Sequence, residues 1–271
     1  MVIARPSLVD RLLRAYARTR WRGFTRLWRL CGRAPDSALR ATTSKGGVFE
    51  LSPFSYIDAI VIREGSYEPE VTDAIVSSLG EGVLWDVGAN FGLHGITAKL
   101  LRPASRVVCF EPSPEMLGRL FRNRAQNGLD IEIVGAALSN RAGFQALSLG
   151  PPGNPGMSTL SPWTGSTYSG TLVVAVARGD DLAAGGLVPA PTVIKLDVEG
   201  HELPALEGMA GILSSPSLKA VVFEDAGDQE TPVKALLRGA GFACELLDRS
   251  QGSRHALENF AARRPTGAQK A

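Results

Sequence analysis

Three cysteines in 271 residues are too few to build a scaffold. Cys31, Cys109 and Cys244 form no Cys-x-x-Cys pair, so neither a zinc ribbon nor a disulfide framework is expected. The histidines are also scarce and scattered, at His94, His201 and His255. Long apolar runs are missing. Nowhere do about 18 apolar residues follow one another, which excludes a transmembrane helix. Arginines interrupt every apolar stretch between Leu8 and Leu30, so no secretory h-region is expected and a cytoplasmic location is. The first forty residues contain no lysine and no glutamate.

What remains is an ordinary globular composition, 44% apolar and 21% charged, which fits neither a disordered nor a collagen-like chain. A chain of this length can bury a sizeable core in one α/β domain. The net charge of +2 hides a split. Residues 1–40 carry ten Arg against two Asp, a balance of +8, and the rest of the chain carries −6. Within that front end, residues 7–31 are predicted to form a basic amphipathic helix. Val9, Leu12, Leu13 and Tyr16 recur at helical spacing, and Trp21, Phe24, Leu27 and Trp28 continue the pattern. Such a helix can lie as a peripheral contact on the inner, anionic face of a membrane. It can also hold a polyanionic glycan or RNA, or pack on the main domain as a lid or a homo-oligomer contact. No basic patch interleaved with aromatics recurs in the body, so nucleic acid ranks lowest as a partner.

Residues 41–82 read as a lead-in. Segments 48–51 and 57–62 look like strands or a hairpin, and 70–79 like a helix ending at Gly80. From residue 83 to 265 the rhythm is strand and helix in alternation, with 266–271 as a tail. Seven strands are expected, at 83–87, 106–110, 131–138, 192–198, 218–224, 242–247 and 258–262. The intervening helices fall at 93–101, 114–127, 202–213 and 232–240. Buried apolar strands alternating with helices imply a doubly wound, mostly parallel sheet covered on both faces. One segment breaks the rhythm. Residues 150–170 are dense in Gly, Pro, Ser and Thr, a long loop that is either a lid or a disordered tip. As a lid, Met157, Ser158, Thr159 and Leu160 would close over the acceptor substrate, and Trp163 and Tyr168 would stack on a sugar face.

Asp86-Val87-Gly88-Ala89-Asn90-Phe91-Gly92 follows the first of these strands and opens a helix. Ligands of doubly wound sheets sit outside the carboxyl ends of the strands. Gly88 and Gly92 allow close backbone approach. A dinucleotide fingerprint starting at Gly88 would need glycine where Asn90 and Leu93 stand. An acid at the strand end, Asp86, would repel a pyrophosphate but suits a cation. S-adenosylmethionine carries a sulfonium and an ammonium and no phosphate. Glu111 ends the second strand, roughly where an α/β unit places a ribose-binding carboxylate, and Pro112 turns the chain there.

The order D-V-G-A-N-F-G, F-E-P-S, A-L-S-N and I-K-L-D-V-E-G-H-E resembles the FkbM-type S-adenosylmethionine-dependent methyltransferases, over about residues 47–225. The resemblance implies a class I, Rossmann-like fold and methyl transfer to a hydroxyl, often on a sugar of a glycan, polysaccharide or natural product. By that resemblance Asp86, Gly88, Asn90, Gly92, Glu111, Pro112 and Asp197 would bind the cofactor. Ala136, Ala137 and Leu138 would lie near the adenine, with Ser139 and Asn140 capping that edge.

Asp197, Glu199, His201 and Glu202 cluster after the fourth strand, and Glu224 and Asp225 end the fifth. Both ends face one crevice in this architecture. Two readings of the cluster stay open. In one, Asp197, His201 or Glu224 takes the acceptor's proton during an in-line transfer. In the other, Asp197, Glu224 and Asp225 hold Mg²⁺ or another hard divalent cation, which would ligate sugar hydroxyls. Glu199 and Glu202 also suit a helix N-terminus, and Lys195 a partner acid. His94 either faces the cofactor's methionine end or is a surface or packing histidine, and His255 is structural. Two functional rivals remain: an N- or carboxyl-methyltransferase on the same fold, and a catalytically silent membrane-associated scaffold.

Overall fold

The computed structural model describes residues 39–227, 229–248 and 257–265. The expected basic helix at 7–31 and His255 lie outside the described residues. The chain enters through an antiparallel hairpin, β1 (Leu39–Thr42) and β2 (Val48–Leu51), and two helices, α1 (Tyr56–Glu64) and α2 (Pro69–Leu79). The repeating part follows as β3 (Val83–Val87), α3 (Leu93–Leu101), β4 (Arg106–Phe110), α4 (Pro114–Asn127) and β5 (Glu132–Val134). Three further strands, β6 (Ala137–Leu138), β7 (Gly143–Leu149) and β8 (Gly170–Ala177), form a small separate sheet. Next come α5 (Gly179–Ala184), β9 (Val193–Leu196), α6 (Glu202–Glu207), α7 (Ala210–Ser214) and β10 (Ala220–Ala226). The described chain closes with α8 (Pro232–Gly239), β11 (Ala243–Asp248) and β12 (Leu257–Arg263).

The central sheet has seven strands in the order β11-β12-β10-β9-β3-β4-β5. β3, β4, β5, β9 and β10 run parallel, and β12 is antiparallel to both β10 and β11. This is the doubly wound class I architecture. Alternation along each strand builds its two cores. Leu84, Val107, Cys109, Val193 and Val222 point to one face, under α2, α3 and the β1–β2 hairpin. Trp85, Val108, Phe110, Ile194, Val221 and Phe223 point to the other, under α6, α7 and α8. Burial of both faces explains why these strands read as continuous apolar runs. The strand order reverses between β3 and β9, so the crevice opens at their carboxyl ends.

The structure corrects several local expectations. Segment 57–62 is part of helix α1, not a strand. Its apolar Ile57 and Val61 recur four residues apart, and Gly65 stops the helix in the left-handed region at φ 78°. Asp58, buried on the same helix, accepts hydrogen bonds from Arg119 (2.5 Å) and from the Ser52 amide (2.7 Å). The expected strand 131–138 breaks at Gly135, and its second half joins the small sheet instead. The expected helix 202–213 is two helices, α6 and α7. A β-carbon at Gly208, between them, would lie 2.0 Å from the Ser139 carbonyl oxygen, so a side chain there would push the two segments apart. Among the described residues, no helix is long and apolar enough to cross a membrane.

Candidate active site

A cleft of about 820 Å³, its open mouth included, lies at the strand reversal. One half is lined by Phe110, Glu111, Pro112, Met116, Ala137 and Leu138, and the other by Tyr67, Glu68, Asp197, Glu199 and Glu224. The backbone is tight where the halves meet. Gly88 has φ 76°, and a β-carbon there would sit 1.9 Å from the Asp197 carbonyl oxygen. Among the described residues, three other than glycine have positive φ: Glu68 (45°), Asn90 (53°) and Glu199 (57°). All three line the cleft. Strained backbone of this kind collects at functional sites.

Glu111 ties the turns after β3 and β4 together. Its carboxylate accepts from the amides of Asn90 and Ser113, both at 2.8 Å. Burial outweighs these donors and pushes its pKa up to about 7. Asp86 does not reach the cleft. It is fully buried beneath the turn, accepts from the Gly95 amide (2.9 Å) and faces Lys195 (3.4 Å). Gly92 is also outside the lining; it caps α3 against Leu120. Lys195 donates to the Gly88 carbonyl (2.8 Å) and pairs with Asp197 (3.2 Å). Burial alone would lower its ammonium pKa, but Asp197 and Asp86 outweigh it and raise it.

On the acidic side the carboxyls hold protons beyond their usual range. Burial, then the charge of Asp197, lifts Glu68 to about 7. The same causes, joined by Glu202, lift Glu199 to about 8, and Glu224 reaches about 10. Glu202 accepts from the amides of Val198 (3.0 Å) and Gly200 (3.2 Å), which makes it a turn cap. His201 lines the cleft, yet both its ring nitrogens are engaged, by Ser161 (2.7 Å) and Ser139 (3.0 Å). His94 packs between Thr72, at 3.0 Å, and Glu68, and burial lowers its pKa to about 3.

The expected metal set does not converge. Adjacent strand residues point to opposite faces, so Glu224 faces the cleft while Asp225 turns away. Asp225 accepts from the Thr231 hydroxyl and from the Ala226 amide. Among the described residues, no group of three or more His, Cys, Asp or Glu could hold a metal ion. Tyr67 and Glu68 are lining residues that sequence reasoning missed. Their one local signal is an acid directly before Pro69, at a helix start.

A domain model described as the methyltransferase FkbM domain matches residues 86–244. The chain belongs to the FkbM methyltransferase family. Family members similar to it include the hexuronic acid methyltransferase AglP of Haloferax volcanii, 32% identical over 68% of this chain and 74% of that protein. Another is the 31-O-demethyl-FK506 methyltransferase FkbM of Streptomyces tacrolimicus, 27% identical over 87% of this chain and 97% of that protein. A more distant structural likeness is the SAM-dependent methyltransferase from Agrobacterium tumefaciens, at 12% identity and TM-score 0.47, over 87% of this chain and 72% of that one. As an FkbM family member the chain is an S-adenosylmethionine-dependent methyltransferase. Its cleft fits that cofactor. The lining holds five acidic residues and, among the described residues, no lysine or arginine, so it offers no cation to a phosphate and suits a cationic nucleoside better.

The raised carboxyls have a consequence for stability. The folded protein keeps protons on Glu68, Glu199 and Glu224 that the unfolded chain releases near the ordinary value of 4.5. Stability therefore falls as pH rises from that value toward the folded ones. The melting temperature of ligand-free protein is expected to drop between about pH 5 and pH 9. Glu224→Gln should flatten the slope. A melting temperature that climbs over that range would contradict the acidic cluster.

Proposed function

We propose that this methyltransferase acts on a hydroxyl of a sugar, in a glycan, a polysaccharide or a glycosylated natural product. The observation that carries the reading is a single cleft in which an apolar half beside Glu111 meets a carboxylate-lined half. Bound S-adenosylmethionine supplies an electrophilic methyl group. Glu111 would accept from the ribose hydroxyls, and Phe110, Met116, Ala137 and Leu138 would flank the adenine. Gly88 and Asn90 leave the backbone close to the ligand. Asp197 would face the cationic end.

On the acceptor side, Glu224, lifted to about 10, holds its proton at neutral pH and can donate a hydrogen bond. Glu68, lifted to about 7, is the carboxylate best poised to take the acceptor's proton. The relative named for a hexuronic acid and the one named for a 31-O-demethyl acceptor support transfer to oxygen. With no lysine or arginine among its described lining residues, this cleft offers no cation to pair with a carboxylate on the acceptor. Its carboxyl groups can accept hydrogen bonds from an amine, which supports a second reading, an amine acceptor. A panel of neutral glycosides, amino glycosides and uronates, assayed with methyl-labelled cofactor, separates these. Neutral glycosides should be labelled best. Labelling confined to amine nitrogen would select the second reading, and label confined to the carboxyl group of the uronates, as a methyl ester, would defeat both.

A further inference from the structure

His201 looks at first like a base, because it stands beside the cleft in the D-V-E-G-H turn. Its surroundings give it a different task. The imidazole is buried, with Nδ1 2.7 Å from the Ser161 hydroxyl and Nε2 3.0 Å from the Ser139 hydroxyl. Burial, with Arg141 nearby, lowers its pKa to about 4, so the ring is neutral near pH 7. A neutral imidazole has one donor and one acceptor nitrogen, and the two serines use both. The three residues come from three separate segments. Ser139 follows β6 and is itself buried, its amide donating to the Ala177 carbonyl. His201 follows β9. Ser161 belongs to the loop between β7 and β8.

That loop is built onto the cleft at more than one point. Thr159 exchanges two backbone hydrogen bonds with Ser148, at 2.8 and 3.0 Å. Leu160 is buried against Ala137, Leu147 and Val174. Trp163 lies against Gly200, where a β-carbon would sit 2.8 Å from the indole ring. Ser158, Thr159 and Leu160 line the cleft together with Ala137 and Leu138. The loop is thus a roof over the end that the proposed function gives to the adenine.

We propose that His201 is a positioning residue, a neutral clamp that fastens this roof to the cofactor end of the cleft, and not the base that takes the acceptor's proton. The proposal rests on the cofactor placement given above. Two hydrogen bonds from one buried ring hold the roof to two segments of the main fold. A ring with both nitrogens engaged has none left for an acceptor.

The test measures release of S-adenosylhomocysteine from the full chain by stopped flow, and Trp163 emission without ligand, assigned with Trp163→Phe. Ser161→Ala removes one arm of the clamp and leaves His201 in place. His201→Phe removes both arms. Each is expected to speed release by about tenfold, the worth of one to two buried hydrogen bonds, and to shift Trp163 emission to the red. His201→Gln, which keeps a donor and an acceptor, should restore part of both. Wild-type release rates and emission in Ser161→Ala and His201→Phe would overturn the clamp. If the wild-type protein fails to bind S-adenosylhomocysteine, the cofactor placement fails instead, and the emission shift still reports on the roof.

Discussion

Glu111→Ala lowers affinity for S-adenosylhomocysteine by about 100-fold or more, because the carboxylate does two jobs at once. It is the acceptor that the proposed function gives to the ribose hydroxyls. A hydrogen bond to a charged group contributes about 1.5–3 kcal/mol, so losing two costs at least about 3 kcal/mol. It also fastens the turn after β3 to the turn after β4, at 2.8 Å to the amides of Asn90 and Ser113, so its loss frees the turn that a ligand must meet. Glu111→Gln keeps the shape but replaces one acceptor oxygen by a donor, and should fall between wild type and Ala. The pH dependence carries its own signature. With the carboxyl pushed up to about 7 in the free protein, affinity should weaken as pH falls through that value, since the protonated form accepts poorly. In Glu111→Gln that dependence should vanish. Titration calorimetry across pH reads all of this. A wild-type affinity in Glu111→Ala would remove the residue from the cofactor site.

The part of this site that lies close in sequence was legible there. The β3 run, the glycine turn and the acid ending β4 are short-range features, and each follows from strand burial and backbone freedom. The long-range part was not. Tyr67 and Glu68 reach the cleft from the lead-in, opposite Asp197 and Glu224, and no periodicity connects segments so far apart. The adjacency of Glu224 and Asp225 was misleading, though the strand's period of two already implied that both could not face one ligand. The residues at 57–62 are largely β-branched or apolar and so resemble a strand. The four-residue spacing of Ile57 and Val61 and the Gly65 stop mark the helix instead, and it sets Asp58 against Arg119. Strands β7 and β8 escaped notice because their outer face carries exposed Phe144 and Val173, which blur the usual alternation. Their sheet nevertheless supplies Leu147 to the cleft and seats Leu160 of the roof.

Lys195→Met is expected to destabilise the protein by about 3 kcal/mol or more, as breaking a buried ion pair usually does. Asp86 is fully buried beneath the cleft and Lys195 nearly so. Methionine keeps the stem volume but leaves the Asp86 carboxylate without a cation. Burial already raises the Asp86 carboxyl, and without Lys195 it must take up a proton to remain inside. Asp86→Asn/Lys195→Met removes both charges and should recover much of the loss, because a matched neutral pair no longer strands a buried anion. Urea denaturation of the two single variants and the double variant measures this, and losses that simply add would refute the pairing. Function should not recover with stability. The Gly88 carbonyl loses its 2.8 Å donor in every variant that lacks Lys195, and no change at Asp86 replaces it. Asp197 loses its cation in the same step. The double variant should therefore fold well yet bind S-adenosylhomocysteine weakly. Recovery of binding together with stability would mean that Lys195 serves the core alone and has no part in holding the glycine turn.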